Sequence, residues 1–311
     1  MAETPGASAG EPLRRRVSAA RARLEEAGIE RGEAGLDAEL LLREVMGWDR
    51  ARFVAHEDES LPPALESAFE AMLSRRERRE PVSLIIGRRE FWGLDFEVTR
   101  DVLTPRPESE LIVEEAICCL GAGVQSPPLT IVDVGTGSGC LAVALARELP
   151  SATVIATDVS ERALDVAARN AARHGVSARV LFERSSMFGS ARAAGLVVSN
   201  PPYVPAADLA SLPPEVRLFE PREALDGGPD GLALVRQLLV EAPRVLLPGG
   251  WLIFEFGAGQ GNAVKAEVQA SELQLVRIRP DLQGLPRTAV VRAAKTSARV
   301  ECGFHGTANG G

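Results

Sequence analysis

The chain contains 311 residues, of which 45% are hydrophobic and 25% are charged. These proportions exclude a mainly disordered or fibrous protein, and the length allows two domains. The formal net charge of −8 repels a polyphosphate backbone, which argues against a protein that coats nucleic acid.

The sequence shows no sign of a membrane span, a secretory route or a metal site. No stretch approaches the roughly 18 consecutive apolar residues of a membrane helix. The start of the chain, MAETPGASAGEPLRRR, lacks the apolar core of a signal peptide. The three histidines have no HExxH spacing and the four cysteines have no CxxC spacing. We therefore expect a cytoplasmic protein that binds no metal.

The N-terminal part of the chain has the spacing of helices. Between residues 13 and 80 apolar residues recur every three or four positions, which predicts a small helical bundle. These positions are Leu13, Val17, Leu24, Leu40, Leu41, Leu42, Val45, Leu65, Phe69 and Leu73. Asp37 is expected to cap a helix, and the charged run RRERRE at residues 75–80 is expected to be a solvated helix end. Residues 1–12 and 295–311 are mostly small and polar, and we expect them to be disordered.

The rest of the chain has an α/β pattern. Residues 81–106 are expected to form a β-hairpin linker, because aromatic residues and valine flank Gly93. From residue 107 to 294 a helix is followed by alternating strands and helices, which predicts a parallel sheet with helices on both faces. A proline-rich stretch of about thirty residues follows Asn200, and a loop of that length inside a domain usually carries function.

A glycine loop follows the first predicted strand of this sheet. The strand IVDVG leads into Gly135-Thr136-Gly137-Ser138-Gly139, and a helix follows. Ligands of open α/β sheets bind at this edge. A dinucleotide fingerprint requires glycine where Cys140 stands, and a P-loop requires a lysine that this loop lacks. The loop therefore favours a nucleoside with a zwitterionic arm, such as S-adenosylmethionine, over NAD or a nucleotide phosphate.

Asp158 ends the second predicted strand of this sheet. Its two carboxylate oxygens can accept hydrogen bonds from both hydroxyls of an adenosine ribose. The competing interpretation is an N-cap of the next helix, for which Ser160 is equally suited. The glycine loop upstream favours the ribose role.

The motif Asn200-Pro201-Pro202-Tyr203 follows another predicted strand, so we expect it to meet the glycine loop above neighbouring strands. The two prolines have no N–H groups and therefore leave only backbone carbonyls. These carbonyls and the Asn200 side-chain oxygen can accept both hydrogens of a planar –NH₂ group, and the Tyr203 ring offers a flat face. Such a clamp would orient a weakly nucleophilic nitrogen towards a sulfonium methyl and stabilise its developing positive charge.

Together, the motifs resemble amino-methylating S-adenosylmethionine-dependent methyltransferases. Three further stretches resemble the HemK-like peptide-chain release factor glutamine methyltransferases in particular. They are Phe91-Trp92-Gly93-Leu94, Leu103-Thr104-Pro105-Arg106-Pro107-Glu108, and the region of Ala224-Leu225-Asp226-Gly227-Gly228. The resemblance extends over residues 13–293.

The resemblance implies a class I methyltransferase domain with a Rossmann-like, seven-stranded sheet that has one antiparallel strand. It implies that Gly135 to Gly139, Asp158 and Asn200 bind S-adenosylmethionine, whose product is S-adenosylhomocysteine. It also implies that Asn200 to Tyr203 hold the substrate and carry out the catalysis. The implied partners are bacterial class 1 release factors, methylated on the glutamine of a Gly-Gly-Gln motif, and the helical bundle would help to bind them. We expect a monomer with no direct binding to nucleic acid.

Some positions depart from the family pattern. Ser109 replaces a threonine, and Ser186-Met187 stands where relatives often have Asp-Trp beside the adenine. Met187 is expected to cover the adenine ring, because thioethers contact aromatic rings favourably. The pair Arg106 and Glu108 is expected either to shape the mouth of the cofactor site or to form a salt bridge at a hinge.

Two other functions remain open. The same clamp would serve an exocyclic-amine methyltransferase of DNA or RNA bases, although the acidic charge and the lack of a basic target domain argue against it. The chain could also be a binding protein with a vestigial cofactor site, against which the intact motifs argue.

Overall fold

The structure is a computed structural model that describes residues 11–121 and 128–294. The tail predicted at residues 295–311 lies outside the described residues, as do residues 1–10 of the tail predicted at the N-terminus. Pro12 is described, and it forms an isolated antiparallel bridge with Ser60.

The helices predicted in the N-terminal part are present. They are α1 (Leu13–Glu26), α2 (Arg31–Met46), α3 (Arg50–Ala55), α4 (Pro63–Glu77) and α5 (Val82–Ile86). Their apolar faces share one core, which includes Leu13, Leu24, Leu41, Leu42, Phe69 and Leu73. Leu40 departs from the prediction because its side chain is exposed. Helix α5 follows the charged run, and its Ile85 packs into the same core.

Two polar expectations for this helical unit are wrong. Asp37 lies inside α2 rather than at its N-terminus, and its carboxylate accepts a hydrogen bond from Arg76 at 2.7 Å. The run at residues 75–80 is not a solvated helix end, because Arg76 is only 3% exposed. Arg76 and Arg79 both donate to Glu215 of the proline-rich stretch, at 2.9 and 2.6 Å. Buried cations require such partners, so the run joins the helical unit to the second part of the chain.

The hairpin predicted around Gly93 consists of β1 (Arg88–Phe91) and β2 (Leu94–Glu97), which pair antiparallel. Both residues of its turn, Trp92 and Gly93, have positive φ angles, of 55° and 68°, which matches the twist of a tight hairpin. The Trp92 N–H donates to the Glu110 carboxylate at 2.8 Å and thereby supports this conformation.

The α/β part contains six helices and seven strands within its described residues. The helices are α6 (Glu110–Leu120), α7 (Cys140–Glu148), α8 (Glu161–Arg173), α9 (Pro214–Phe219), α10 (Ala233–Glu241) and α11 (Gly261–Gln269). The strands are β3 (Thr130–Val134), β4 (Thr153–Asp158), β5 (Val180–Arg184), β6 (Ala194–Ser199), β7 (Leu246–Glu255), β8 (Gln274–Pro280) and β9 (Pro286–Arg292). They form one sheet in the order β5-β4-β3-β6-β7-β9-β8, in which β9 is antiparallel to both neighbours. The seven-stranded, Rossmann-like fold is therefore confirmed.

Helices cover both faces of the sheet, as the strand pattern predicts. Alternate residues of a strand point to opposite faces, so Ile131 of β3 packs into one core and Val132 into the other. The first core includes residues of α6 and α7, and the second includes residues of α10 and α11. With both faces covered, the carboxyl edge of the parallel strands remains for a ligand.

Candidate active site

A cavity of about 730 Å³ lies at the carboxyl edge of the sheet. Its wall includes Gly135 after β3, Asp158 at the end of β4 and Asn200 after β6, which are three adjacent parallel strands. Strands β3 and β6 pair directly, with Val134 opposite Ser199. The glycine loop and the Asn-Pro-Pro-Tyr motif therefore meet above neighbouring strands, as the spacing predicts.

The glycine loop is shaped mainly by its backbone. Gly135, Gly137 and Gly139 have φ angles of 72°, 54° and 80°, which disfavour residues with a side chain. A Cβ added at Gly139 would lie 2.9 Å from the Ala167 Cβ, so this glycine allows α7 to start close against α8. No atom lies within 4 Å of a Cβ added at Gly135 or Gly137. These two glycines therefore leave room for a ligand to approach the backbone.

Asp158 is held in place by two backbone N–H groups. One carboxylate oxygen accepts from Gly137 at 2.9 Å, and the other accepts from Ser160 at 2.9 Å. The cap of α8 is Ser160, whose side chain accepts from the Ala163 N–H. Asp158 is therefore not needed as the helix cap, and each of its oxygens keeps a lone pair for a further donor.

Asp133 is a residue of this site that the sequence reasoning missed. It is fully buried behind the glycine loop, and one carboxylate oxygen accepts from the Thr136 hydroxyl at 2.6 Å and from the Ala142 N–H at 3.2 Å. The other oxygen is buried without a hydrogen-bond partner. Burial raises the pKa of Asp133 to about 7. The signal in the sequence was an acidic residue inside the apolar strand IVDVG, because a buried carboxylate is costly unless hydrogen bonds or an opposite charge stabilise it.

Asn170 is a second missed residue. Its side chain is fully buried, and its amide nitrogen donates to the carbonyl oxygens of Ser138 and Glu97 at 2.9 and 3.0 Å. Its amide oxygen accepts from the Glu97 N–H at 2.8 Å. Asn170 therefore ties the glycine loop to the hairpin. A polar residue on the alanine- and valine-rich face of α8 was the available signal.

On the substrate side, Asn200 is held by side chains from two distant parts of the chain. Its amide nitrogen donates to the Ser109 hydroxyl oxygen at 2.8 Å, and Ser109 in turn donates to the Glu255 carboxylate at 2.6 Å. The Asn200 amide oxygen is buried and has no hydrogen-bond partner. Asn200 is part of the cavity wall, whereas this unpartnered oxygen is itself shielded from the cavity surface.

The glycines after Asp226 hold the proline motif from behind. A Cβ added at Gly227 would lie 2.7 Å from the Pro202 carbonyl oxygen, and one added at Gly231 would overlap the Tyr203 carbonyl oxygen. That same Tyr203 oxygen accepts from the Gln260 side chain at 2.9 Å. The glycine-rich segment is therefore required for close packing of backbone against backbone.

The predicted site residues do not all line the cavity. Those in its wall are Gly135, Thr136, Gly137, Ser138, Asp158, Asn200 and Pro202, and those outside the wall are Gly139, Met187, Pro201 and Tyr203. Met187 is 5% exposed and packs into the second core, while Ser185 and Ser186 line the wall. Arg106 pairs with the Glu220 carboxylate at 2.5 Å, so the expected pair with Glu108 is replaced by a contact to the proline-rich stretch.

The arginines of the cavity wall are already paired with carboxylates. The pairs are Arg100 with Glu80, Arg106 with Glu220 and Arg162 with Asp101, at 3.1, 2.5 and 3.5 Å. This arrangement does not favour a polyphosphate ligand, which agrees with the loop lacking a lysine. Within the part of the chain that the structure describes, no group of three or more His, Cys, Asp or Glu side chains could hold a metal ion. No helix in residues 11–121 and 128–294 is both long and apolar enough to cross a membrane.

Comparison with known proteins finds one family model that matches the N-terminal part of the chain and another that matches the α/β part. Residues 17–87 match the model described as PrmC N-terminal domain, and residues 123–212 match the model described as methyltransferase small domain. A release factor glutamine methyltransferase of Cereibacter sphaeroides is 46% identical over 277 residues, which cover 89% of this chain and 96% of that protein. One of Geobacter sulfurreducens is 45% identical over 256 residues, which cover 81% and 86%. The hMettl16 catalytic domain shares the fold, with a TM-score of 0.52 at 15% identity over 73% of this chain and 83% of that one.

Proposed function

The chain belongs to the release factor glutamine methyltransferase family, and from that membership we propose the reaction that it catalyses. It transfers a methyl group from S-adenosylmethionine to the side-chain amide nitrogen of the glutamine in the Gly-Gly-Gln motif of bacterial class 1 release factors. Release factors work on ribosomes, so the reaction belongs in the cytoplasm. The enzyme acts as a monomer and without a metal.

The residues around the glycine loop fit this cofactor. S-Adenosylmethionine, when bound, supplies an electrophilic sulfonium methyl. We assign its ribose to Asp158, whose carboxylate is fixed and has free lone pairs. Its methionine part lies against the loop from Gly135 to Gly139, and the positive charge of the bound cofactor would favour the ionised form of Asp133, which is buried behind that loop. Two carboxylates and no unpaired arginine suit a ligand that carries positive charge.

We assign the adenine to the wall formed by Val159, Ser185 and Ser186, which line the cavity beside Asp158. Met187 lies behind this wall, so its part in binding is to support Ser186 from the core. This assignment modifies the expected direct contact between Met187 and the adenine ring.

The unpartnered amide oxygen of Asn200 is the observation that carries the proposed reaction. A buried acceptor without a donor is costly, and the –NH₂ group of the substrate glutamine would satisfy it once substrate binding uncovers this oxygen. We assign the further acceptor for the second hydrogen to the carbonyl oxygen of Pro202, which lines the cavity, and we propose that Pro201 and Tyr203 complete the clamp. Accepting both hydrogens orients the nitrogen lone pair and stabilises the charge that develops on the nitrogen.

The chain needs no strong general base for this transfer. Neither described histidine, His56 or His174, lines the cavity. The methylated amide nitrogen is strongly acidic while it is positively charged, so its proton can leave to water after the methyl has moved. The cavity residues therefore bind and orient, and they do not have to abstract a proton first.

We propose that the helical unit contributes to binding of the release factor. Its Arg76 and Arg79 hold Glu215, which lies in the stretch directly after the Asn-Pro-Pro-Tyr motif. A protein docked on the helices would therefore lie close to the segment that leads out of the clamp. The net charge of −8 does not favour a nucleic acid as the partner.

Mass spectrometry of a release factor incubated with the protein and S-adenosylmethionine tests the proposal. We expect one added methyl group, located on the loop glutamine by peptide fragmentation, and none on a release factor with Gly-Gly-Ala in the loop. Absence of methylation, with the cofactor bound in calorimetry, would contradict the substrate assignment. An oligonucleotide in the same assay tests the exocyclic-amine alternative, and absence of cofactor binding would indicate a vestigial site.

A further inference from the structure

A chain of hydrogen bonds runs from the candidate clamp into the core. Asn200 donates to Ser109 at 2.8 Å, and Ser109 donates to Glu255 at 2.6 Å. Glu255 is 1% exposed and ends β7, which pairs with β6, the strand that leads into Asn200. The Tyr203 hydroxyl also lies close enough to the Glu255 carboxylate to lower the pKa of that carboxyl group. One buried carboxylate thus contacts both ends of the four-residue motif, directly or through one hydroxyl.

We propose that Glu255 and Ser109 are positioning residues that fix the orientation of the Asn200 amide, with its oxygen presented to the substrate. The inference rests on the proposed function, because it assumes that the substrate brings an –NH₂ group to this oxygen. It goes beyond that function, because neither residue would touch the substrate nitrogen.

The orientation follows from the number of protons available. An ionised Glu255 has no proton and can only accept, so the single hydroxyl proton of Ser109 goes to Glu255. The Ser109 oxygen is then left as an acceptor, which requires the –NH₂ side of the Asn200 amide to face it. The amide oxygen of Asn200 consequently points away from Ser109 and is the group that can accept a hydrogen bond from the substrate. A serine or a threonine at position 109 can both serve in this way, whereas an alanine cannot.

Glu255 is also placed where its charge state depends on pH near neutrality. Burial is the main cause that raises its pKa, to about 7, and the nearby Glu108 raises it further. Hydrogen bonds from Ser109 and Tyr203 and the positive charge of Arg287 on β9 lower it. A protonated Glu255 could donate to Ser109 instead, and the Ser109 proton would then favour a flipped Asn200 amide. That amide would turn its own –NH₂ towards the –NH₂ of the substrate, so we expect activity to rise as the pH rises through about 7.

Substitutions at position 109 provide the first test. In Ser109→Ala we expect kcat for release factor methylation to fall about 10- to 100-fold, because the Asn200 amide is no longer fixed. The Kd for S-adenosylmethionine should remain within about twofold of the unmodified protein. Ser109→Thr should restore most of the rate, since it restores the hydroxyl. Equal rates in the alanine and threonine variants would overturn the proposal, and so would a loss of rate in both with the fold intact by circular dichroism.

The pH profile of Glu255→Gln provides the second test. We expect kcat of the unmodified protein, at saturating cofactor, to rise about tenfold between pH 6 and pH 8. In Glu255→Gln the rate at pH 8 should be lower and the slope with pH should disappear, because the glutamine does not ionise. Saturating cofactor removes the contribution of Asp133, which lies on the cofactor side. A profile with the same slope in both proteins would overturn the proposal.

A double substitution tests whether Ser109 and Glu255 act through the same residue, Asn200, or independently of each other. If both residues act through Asn200, Ser109→Ala combined with Glu255→Gln should be about as slow as the slower single variant. Multiplied losses would mean that the two residues act independently, which contradicts the proposal. These results are distinguishable from failure of the proposed function, because in that case the unmodified protein itself would not methylate the release factor.

Discussion

The two sides of the candidate active site are built differently. On the cofactor side the glycine loop and Asp158 belong to one strand-helix-strand unit. Asp158 is held by the backbone N–H groups of Gly137, 21 positions earlier, and Ser160, 2 positions later. On the substrate side the Asn-Pro-Pro-Tyr motif is held by residues from distant parts of the chain. These residues are Ser109, Gly227, Gly231, Glu255 and Gln260. Apart from the tie that Asn170 makes between the glycine loop and the hairpin, the cofactor side should therefore tolerate distant changes. The substrate side should fail when any of several remote contacts is lost.

Asn200→Ala should produce the largest loss. Removing the unpartnered amide oxygen of Asn200 should lower kcat about 10³-fold, because the positive charge on the nitrogen loses part of its stabilisation. Cofactor affinity should stay within about threefold, since most of the assigned cofactor contacts follow β3, β4 and β5 rather than β6. Single-turnover kinetics and calorimetry measure the two quantities separately. A rate near that of the unmodified protein would remove the clamp mechanism.

Gly231→Ala should impair the substrate side, although Gly231 does not line the cavity. The new Cβ would overlap the Tyr203 carbonyl oxygen and displace the proline motif, so we expect kcat to fall about 10²-fold. Cofactor affinity should change little. Gly259→Ala is the matched control, because Gly259 has a similar φ, of +87°, with no atom within 4 Å of an added Cβ. Similar losses in both variants would attribute the effect to backbone strain rather than to displacement of the motif.

Asp158→Ala should affect only the cofactor side of the site. We expect cofactor binding to weaken by about 1 to 3 kcal/mol, because hydrogen bonds to a charged carboxylate are lost. The rate at saturating cofactor should fall less than the affinity does. Asp165→Ala, which removes an exposed acid from α8, controls for the change in charge. An unchanged Kd in calorimetry would mean that Asp158 only organises the loop through Gly137 and Ser160.

The same contrast explains how far the sequence could predict the site. The glycine loop and Asp158 are local patterns whose spacing alone places them at the edge of a sheet. Asn200 could be placed after a strand, but its hydrogen bond to Ser109 joins residues 91 positions apart and leaves no local pattern. The burial of Arg76 could not be predicted for the same reason, because its partner Glu215 is 139 positions away. The alternation of strands and helices predicted the sheet, because burial on both faces of each strand gives a local signal.

Met187→Leu should have the smallest effect, and it tests whether Met187 contacts the cofactor. Met187 packs into the second core, so a substitution of nearly equal volume should cost less than about 1.5 kcal/mol of unfolding free energy. We expect the Kd for S-adenosylmethionine to change less than twofold, because Ser185 and Ser186 form the wall in front of it. A Kd weakened severalfold, with an unchanged denaturation midpoint, would instead place the thioether against the adenine ring. The adenine would then contact a side chain of the second core as well as the wall formed by Ser185 and Ser186.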